Sequence, residues 1–168
     1  MGQLFIQGSE DLVNDLEKIF PLDLKRLKLN HSKYSFLMNN DAGIYDDLII
    51  TKIDNGFLII LNAACKDSDY EILSKLLNNK YKMVLDEKRS LIAIQGPKSV
   101  KILDNFISGV KDLSFMSGNW FTFEHQKIYI TRSGYTGEDG FEISIANDYV
   151  DKFTRKLINK GSKLIGLG

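Results

Sequence analysis

The protein has 168 residues with 22 basic and 22 acidic side chains, so it carries no net formal charge. This balance excludes a general electrostatic attraction to nucleic acid or an anionic membrane, and we expect neither as a partner. No apolar run is as long as a membrane span, and a single cysteine, Cys65, excludes an internal disulfide and favours a reducing compartment. The length predicts one large or two small domains.

The first half of the sequence alternates strand and helix patterns. Ser9 can cap a first helix, and Pro21 stops it. Asn55-Gly56 is typical of a tight hairpin turn between two strands. The predicted elements are a strand at 3–7, a helix at 9–21, strands at 33–38 and 47–53, and a returning strand at 57–64.

The second half continues this alternation. Ser68 and Glu71 have the spacing of a capping box, which predicts that a helix begins there. Pro97 suits the first turn of another helix that runs to about Ile107. The predicted elements are a helix at 68–77, strands at 81–85 and 90–95, a hairpin at 119–132 turning near His125-Gln126, and a strand at 141–146. A final helix capped by Asn147 and closed by Gly161 turns Val150, Phe153, Leu157 and Ile158 inward.

These elements predict an α+β fold of antiparallel or mixed sheets with crossing helices on one face. A break near Gly96-Pro97, itself read as a structural turn, divides the chain into units 1–96 and 97–168. The two histidines and one cysteine have no metal-ligand spacing, so no metal site is predicted. Cys65 is expected to pack as a small hydrophobic residue.

Two polar clusters in the first half interrupt apolar strands. Asp46 and Asp47 open one strand, and alternation sends their side chains to opposite faces, so at most one is expected to point into a given cavity. They can also mark a solvated start of the strand. Asn62 follows an apolar run directly, and its amide either bonds neighbouring backbone or reads a planar ligand.

The stretch RSGYTGEDGFE carries three glycines, Gly134, Gly137 and Gly140. It is either a glycine-rich hairpin loop or a place where the backbone comes close to a ligand. Glu142 follows at the start of a strand, and a carboxylate there can accept two parallel N–H bonds from a flat heterocycle. Aspartate, asparagine, tyrosine and glutamate without metal ligands suit a planar, nitrogen-rich molecule.

Three stretches together resemble one family, the aminomethyltransferase or T-protein of the glycine cleavage system. They are GIYDDLIITKIDNGFLIILNAACKDSDY, LIAIQGPKSV and TRSGYTGEDGFEIS, in the family's order and spacing, and the closing GLG matches too. The resemblance implies transfer of an aminomethyl group from the dihydrolipoyl arm of H-protein to tetrahydrofolate. The products are 5,10-methylene-tetrahydrofolate and ammonia. It also implies an α+β fold with ferredoxin-like units, and a cytoplasmic location, or the mitochondrial matrix in a eukaryote.

The resemblance also assigns roles to individual residues. Asp46 is implied to be the catalytic carboxylate, and Asp47 is left as a structural residue. Asn62 is implied to bond the pterin, and Glu142 to pair with the pterin ring N–H and amino group. Tyr135 and Tyr34 are implied to line the folate site.

Three alternatives stay open at this stage. The first is a relative with the same folate pocket and other chemistry, such as a folate-dependent demethylase. The second is a non-catalytic folate-binding protein, which is expected to carry a cysteine motif that is absent here. The third is an interaction module with purely structural loops. The family has a further N-terminal segment and a further C-terminal barrel-like domain, so we expect this chain to be an internal fragment.

Overall fold

The computed structural model describes residues 1–166 and divides the chain into two compact units, Met1–Glu87 and Lys88–Gly168. The last two residues of the closing GLG lie outside the described part. The predicted division lay after residue 96. The structure instead assigns the strand Arg89–Gln95 to the second unit, because this strand pairs along its length with the strand Gly140–Ala146.

The first unit is a five-stranded sheet with two helices. Its elements are β1 (Gly2–Gln7), α1 (Glu10–Leu16), β2 (Ser32–Met38), β3 (Ile44–Ile53), β4 (Gly56–Leu61), α2 (Lys66–Leu76) and β5 (Lys82–Leu85). The strand order is β2-β3-β4-β1-β5, and every neighbouring pair is antiparallel. Strand alternation gives this sheet an apolar face for the helices.

The core of the first unit lies between that face and the helices. Leu48 and Ile50 of β3 are buried there, two residues apart as a strand requires. Leu12 and Leu16 of α1 are four residues apart, as a helix requires, and pack in the same cluster. This packing fixes β3 and β4, the strands that carry the candidate site.

The second unit is a four-stranded antiparallel sheet with helices. Its elements are β6 (Arg89–Gln95), α3 (Ser99–Asp104), β7 (Gly118–Phe123), β8 (Gln126–Thr131), β9 (Gly140–Ala146) and α4 (Val150–Asn159). The strand order is β6-β9-β8-β7. Phe106, Phe123 and Phe153 pack edge to face in its core.

The two tight turns show how local backbone chemistry sets the hairpins. Asn55 and Gly56 have positive φ angles of 63° and 147°, which confirms the predicted turn, and a Cβ at Gly56 would collide with the Ile6 carbonyl oxygen. The other hairpin turns at Glu124 and His125, one position earlier than predicted, and both have positive φ. Strand pairing between Phe123 and Gln126 fixes that position.

The helix boundaries differ from the predictions in several places. The first helix ends at Leu16 rather than near Pro21, and residues 17–20 continue as turns that bury Phe20. The predicted capping box is wrong: Cys65 is the N-cap of α2, and Ser68 lies inside the helix with its hydroxyl donating to the Cys65 carbonyl oxygen. A serine in the first turn can satisfy a backbone carbonyl in this way and so mimic a cap in the sequence.

The start of the last helix and its buried face also differ from the prediction. Asn147 opens a short 3₁₀ turn, Asn147–Tyr149, and α4 begins at Val150. Phe153 and Leu157 are buried as predicted, but Ile158 is 40% exposed. Because an α-helix turns 100° per residue, Ile158 lies to one side of the buried face that Phe153 and Leu157 form. The α+β class is confirmed, and no described helix has the length and apolar character to cross a membrane.

Candidate functional site

Asp46 lies on β3 and is held by the side-chain amide of Asn62. Asn62 Nδ2 donates to Asp46 Oδ1 at 2.9 Å and to Asp47 Oδ1 at 2.8 Å, and it lies 3.1 Å from the Asp47 carbonyl oxygen. All three residues are half-buried. An amide nitrogen has two N–H groups, and both are used by the aspartate pair. One amide therefore fixes two neighbouring carboxylates.

Strand alternation does not separate the two aspartates as the sequence predicts. The ladder between β3 and β4 ends at Leu48 and Leu61, so Asn62 follows the last paired residue beside Asp47. The pairing of β3 with β2 is also irregular there, with a shift between Leu37 and Met38. A bulge and a strand end both relax the alternation of side chains. Both carboxylates can then reach the same amide.

Asp47 also binds Tyr34, another residue that the resemblance assigns to the folate site. The Tyr34 hydroxyl donates to Asp47 Oδ2 at 2.6 Å, and the tyrosine ring packs edge to face on Phe36 with centroids 5.2 Å apart. This hydrogen bond, with a smaller contribution from Asn62, lowers the pKa of Asp47, while burial opposes it. The same bond raises the pKa of Tyr34. Asp47 therefore joins two predicted ligand-binding residues, Tyr34 and Asn62.

Asp69 of α2 is a further acid in this cluster that sequence reasoning missed. It is 1% exposed and lies against Asp46. Burial, then hydrogen bonding to the Asp46 carboxyl and the charge of that carboxyl, raises the pKa of Asp69 to about 7. The signal in the sequence was the four-residue spacing of Asp69, Leu73 and Leu77, which puts an acid on the buried stripe of the helix.

Cys65 lies beside the same carboxyl groups. Its thiol is half-buried and free, and burial raises its pKa, together with the negative charge of Asp46. A raised pKa keeps the thiol protonated, which makes it a poor nucleophile. Cys65 therefore packs against the acid cluster in its neutral form.

The other two predicted ligand-binding residues, Glu142 and Tyr135, belong to the second unit. Glu142 on β9 is 8% exposed, and its Oε2 accepts a hydrogen bond from Ser133 Oγ at 2.5 Å. Tyr135 lies in the loop between β8 and β9 and is 63% exposed. A buried carboxylate that is oriented by a hydroxyl group presents its remaining lone pairs in a defined direction.

The glycine-rich stretch is the loop of the β8–β9 hairpin, and two of its glycines make room for Gln95. A Cβ at Gly134 or Gly140 would overlap the Gln95 side chain. Gln95 Nε2 donates to the Ser133 carbonyl oxygen at 3.0 Å and to that of Phe141 at 3.3 Å. Gly137 instead has a positive φ of 75°. Close approach is thus explained within the protein at two of the three positions.

An ion pair closes the same loop at its base. Arg132 donates to both carboxylate oxygens of Asp139, at 2.8 Å and 2.7 Å, and to the Leu113 carbonyl oxygen at 2.8 Å. The pKa of Asp139 is lowered by this bond and that of Arg132 is raised. Such two-bond pairing fixes orientation, so the loop that carries Tyr135 has defined ends.

Comparison with known proteins identifies the family. The GCVT N-terminal domain family matches residues 1–167. The chain belongs to this family. Across the described residues of this GCVT domain, no group of histidine, cysteine, aspartate and glutamate side chains could hold a metal ion.

Named relatives agree with this assignment. The chain is 40% identical to the probable mitochondrial aminomethyltransferase of Schizosaccharomyces pombe, covering 100% of this chain and 45% of the relative. It is 36% identical to the aminomethyltransferase of Natranaerobius thermophilus, covering 100% and 48%. The glycine cleavage system aminomethyltransferase T of Bartonella henselae has a crystal structure that matches with a TM-score of 0.82 and 36% identity, over 94% of this chain and 43% of that one. The GCVT domain thus spans less than half the length of these proteins.

The packing of Gln95 in this GCVT domain gives a first testable prediction. Gly134→Ala is expected to lower the free energy of unfolding by about 1–3 kcal/mol, because the new methyl group displaces Gln95 from its partly buried hydrogen bonds. Denaturant unfolding measures the change.

A double-mutant cycle with Gln95→Ala is the control. Once the Gln95 side chain is removed, Gly134→Ala should cost much less than in the wild-type background. An equal cost in both backgrounds would show that the glycine is needed for a reason other than Gln95.

Proposed function

We propose that this GCVT domain takes part in aminomethyl transfer from the dihydrolipoyl arm of H-protein to tetrahydrofolate. The reaction gives 5,10-methylene-tetrahydrofolate and releases ammonia, and tetrahydrofolate is the co-substrate. Family membership supports the proposal, together with one observation: a single amide, Asn62, fixes the carboxylates of Asp46 and Asp47 at the end of β3. The proposed partners are H-protein and, through it, the other glycine cleavage proteins.

Asp46 is the proposed catalytic carboxylate. When the aminomethyl carbon leaves sulfur, the S–C bond breaks with its electron pair on sulfur, and the carbon gains iminium-like positive charge. A carboxylate that is already oriented stabilises this charge without having to reorganise. It also orients the attacking folate amine and can accept the proton released as the new C–N bond forms. The bond from Asn62 to Oδ1 supplies the orientation.

Asn62 is proposed to contribute to ligand binding through its side-chain carbonyl oxygen, Oδ1. Both N–H groups of its amide are used by the aspartate pair, and no donor among the described residues contacts its carbonyl oxygen. A pterin has ring N–H and amino groups that donate hydrogen bonds. Asn62 is therefore proposed to accept from the pterin with Oδ1 rather than to donate to it.

Glu142 and Tyr135 are the residues of the second unit proposed to bind tetrahydrofolate. The ring N–H and exocyclic amino group of a pterin present two parallel donors, which match the two oxygens of a carboxylate. Ser133 orients Glu142 from one side through Oε2. Tyr135 is exposed and offers an aromatic face to the flat ring system. Tyr34, a residue of the first unit, is also proposed to contact folate.

Two measurements on the purified protein test this function. Calorimetric titration with tetrahydrofolate should show saturable binding, and H-protein loaded with the aminomethyl group should then release ammonia in the presence of tetrahydrofolate. Binding with methyl transfer from a sulfonium donor and no ammonia release would instead favour a folate-dependent demethylase. Binding without any turnover would favour a folate-binding protein. Absence of binding would refute the proposal.

A further inference from the structure

The carboxyl groups of Asp46 on β3 and Asp69 on α2 interact with one another. Asp46 Oδ2 and Asp69 Oδ2 are both inaccessible to solvent, and no N–H or hydroxyl group among the described residues donates to either oxygen. Asp69 is 1% exposed and is within hydrogen-bonding reach of the Asp46 carboxyl. Two buried acceptor atoms without a donor, on carboxyl groups that interact with one another, are an unfavourable arrangement.

A single proton bound to the pair would remove this unfavourable arrangement. Two carboxylates in contact repel one another, and burial penalises each charge further. If one carboxyl is protonated, its O–H becomes the donor that both oxygens lack, and the pair keeps a single negative charge. The two acids differ in surroundings, because Asp46 Oδ1 already accepts from Asn62 at 2.9 Å while Asp69 has no such bond among the described residues. The hydrogen bond from Asn62 favours the charged form of Asp46, so the proton belongs on Asp69.

We propose that Asp46 and Asp69 share a single proton, which resides on Asp69 and is donated in a hydrogen bond to Asp46 Oδ2, so that Asp69 acts as a positioning residue for Asp46. Asp46 is then held at both oxygens, by Asn62 on Oδ1 and by Asp69 on Oδ2, and it carries the negative charge of the pair.

The groups around Asp69 agree with a neutral form. Besides Asp46, the titratable groups that interact with this cluster in the described part of the chain are Asp47 on β3, Tyr34 on β2 and the Cys65 thiol before α2. Tyr34 donates to Asp47, and the raised pKa of Cys65 keeps its thiol neutral. None of these groups is a cation that could stabilise a second carboxylate beside Asp46. Consistently, the pKa of Asp69 is raised to about 7.

The direct test is a carboxyl ¹³C NMR titration of the protein, with Asp69 assigned by the resonance that Asp69→Asn removes. Asp69 should titrate close to pH 7, against the usual aspartate value of 3.8. Asp67→Asn, which removes an exposed acid on the same helix, is the matched control and should leave this titration in place. Titration of Asp69 in the ordinary aspartate range would overturn the proposal.

The pH dependence of stability provides a second test. Above about pH 4 the unfolded chain has released this proton while the folded chain retains it, so the unfolding constant should rise by about tenfold per pH unit until the folded pKa is reached, and then level off. In Asp69→Asn the slope of the unfolding constant against pH should fall by the contribution of one bound proton. In Asp67→Asn this slope should be unchanged. An unchanged slope in Asp69→Asn would contradict a neutral Asp69.

A turnover assay distinguishes a role of Asp69 in positioning Asp46 from a role in packing alone. Of the three tests, only this one rests on the proposed function. Asp69→Asn keeps a donor for Asp46 Oδ2 and should retain turnover, whereas Asp69→Leu should lower kcat by about 100-fold through misplacement of Asp46. Equal turnover in both variants would overturn the positioning role. If wild-type protein binds no folate while Asp69 still titrates near pH 7, the proposed function fails and the proton assignment stands.

Discussion

Asp46→Ala is expected to reduce kcat for aminomethyl transfer by about 10²–10³-fold, the scale for losing one preorganised electrostatic group at a reacting centre. Folate affinity should change far less, because in the proposed mechanism other groups hold the pterin and Asp46 acts on charge that develops only during the reaction. Steady-state kinetics with loaded H-protein give kcat, and calorimetric titration gives the dissociation constant of tetrahydrofolate.

Asp41→Ala is a suitable control for this substitution. Asp41 is an exposed acid in the turn just before β3. Turnover and affinity should both be unchanged in that variant. Comparable losses of turnover and folate affinity in Asp46→Ala would mean that Asp46 only holds the ligand.

Glu142→Ala should weaken tetrahydrofolate binding by about 1.5–3 kcal/mol, the range for hydrogen bonds to a charged group. In terms of the dissociation constant this is a rise of about 10- to 150-fold. The reason is that, in the proposed binding mode, the carboxylate supplies two parallel acceptors to the pterin, and Glu142 is only 8% exposed, so water cannot readily replace both. Calorimetric titration of the folded variant measures the change.

Glu138→Ala is the matched control, because Glu138 is an acid of the same loop but is exposed. It should bind tetrahydrofolate like the wild type. Circular dichroism should be used to check that Glu142→Ala is folded, because the substitution leaves the Ser133 hydroxyl with Thr131 Oγ1 as its remaining side-chain partner. A folded Glu142→Ala variant with an unchanged dissociation constant would refute the role of Glu142.

The strands were predictable because their residues alternate and their turns are marked. Asn55-Gly56 favours positive φ angles locally, so the hairpin between β3 and β4 follows from two residues. Helix ends were less predictable. Ser68 resembles a cap, but the chain leaves β4 at Leu61 and already turns into α2 at Lys66, which puts Ser68 inside the first turn.

Within the first unit, the sequence singled out residues of the candidate site but not their arrangement. The sequence and the family resemblance point to Asp46, Asn62 and Tyr34 individually and predict only a structural role for Asp47. The hydrogen bonds of Asp47 to Asn62 and Tyr34 depend on where two ladders end, which no local pattern encodes. Asp69 was missed because a single acid on a helix is most often solvated.

The sequence by itself determined the α+β class, the strand positions, the family and the acids and amide that the proposed chemistry requires. Only the tertiary structure decided which of these groups share hydrogen bonds, where the unit boundary falls, and that Gly134 and Gly140 accommodate Gln95. The reason is physical. Propensity and periodicity act between residues close in the chain, whereas burial and hydrogen bonding between Asp46, Asn62 and Asp69 depend on packing of β3, β4 and α2.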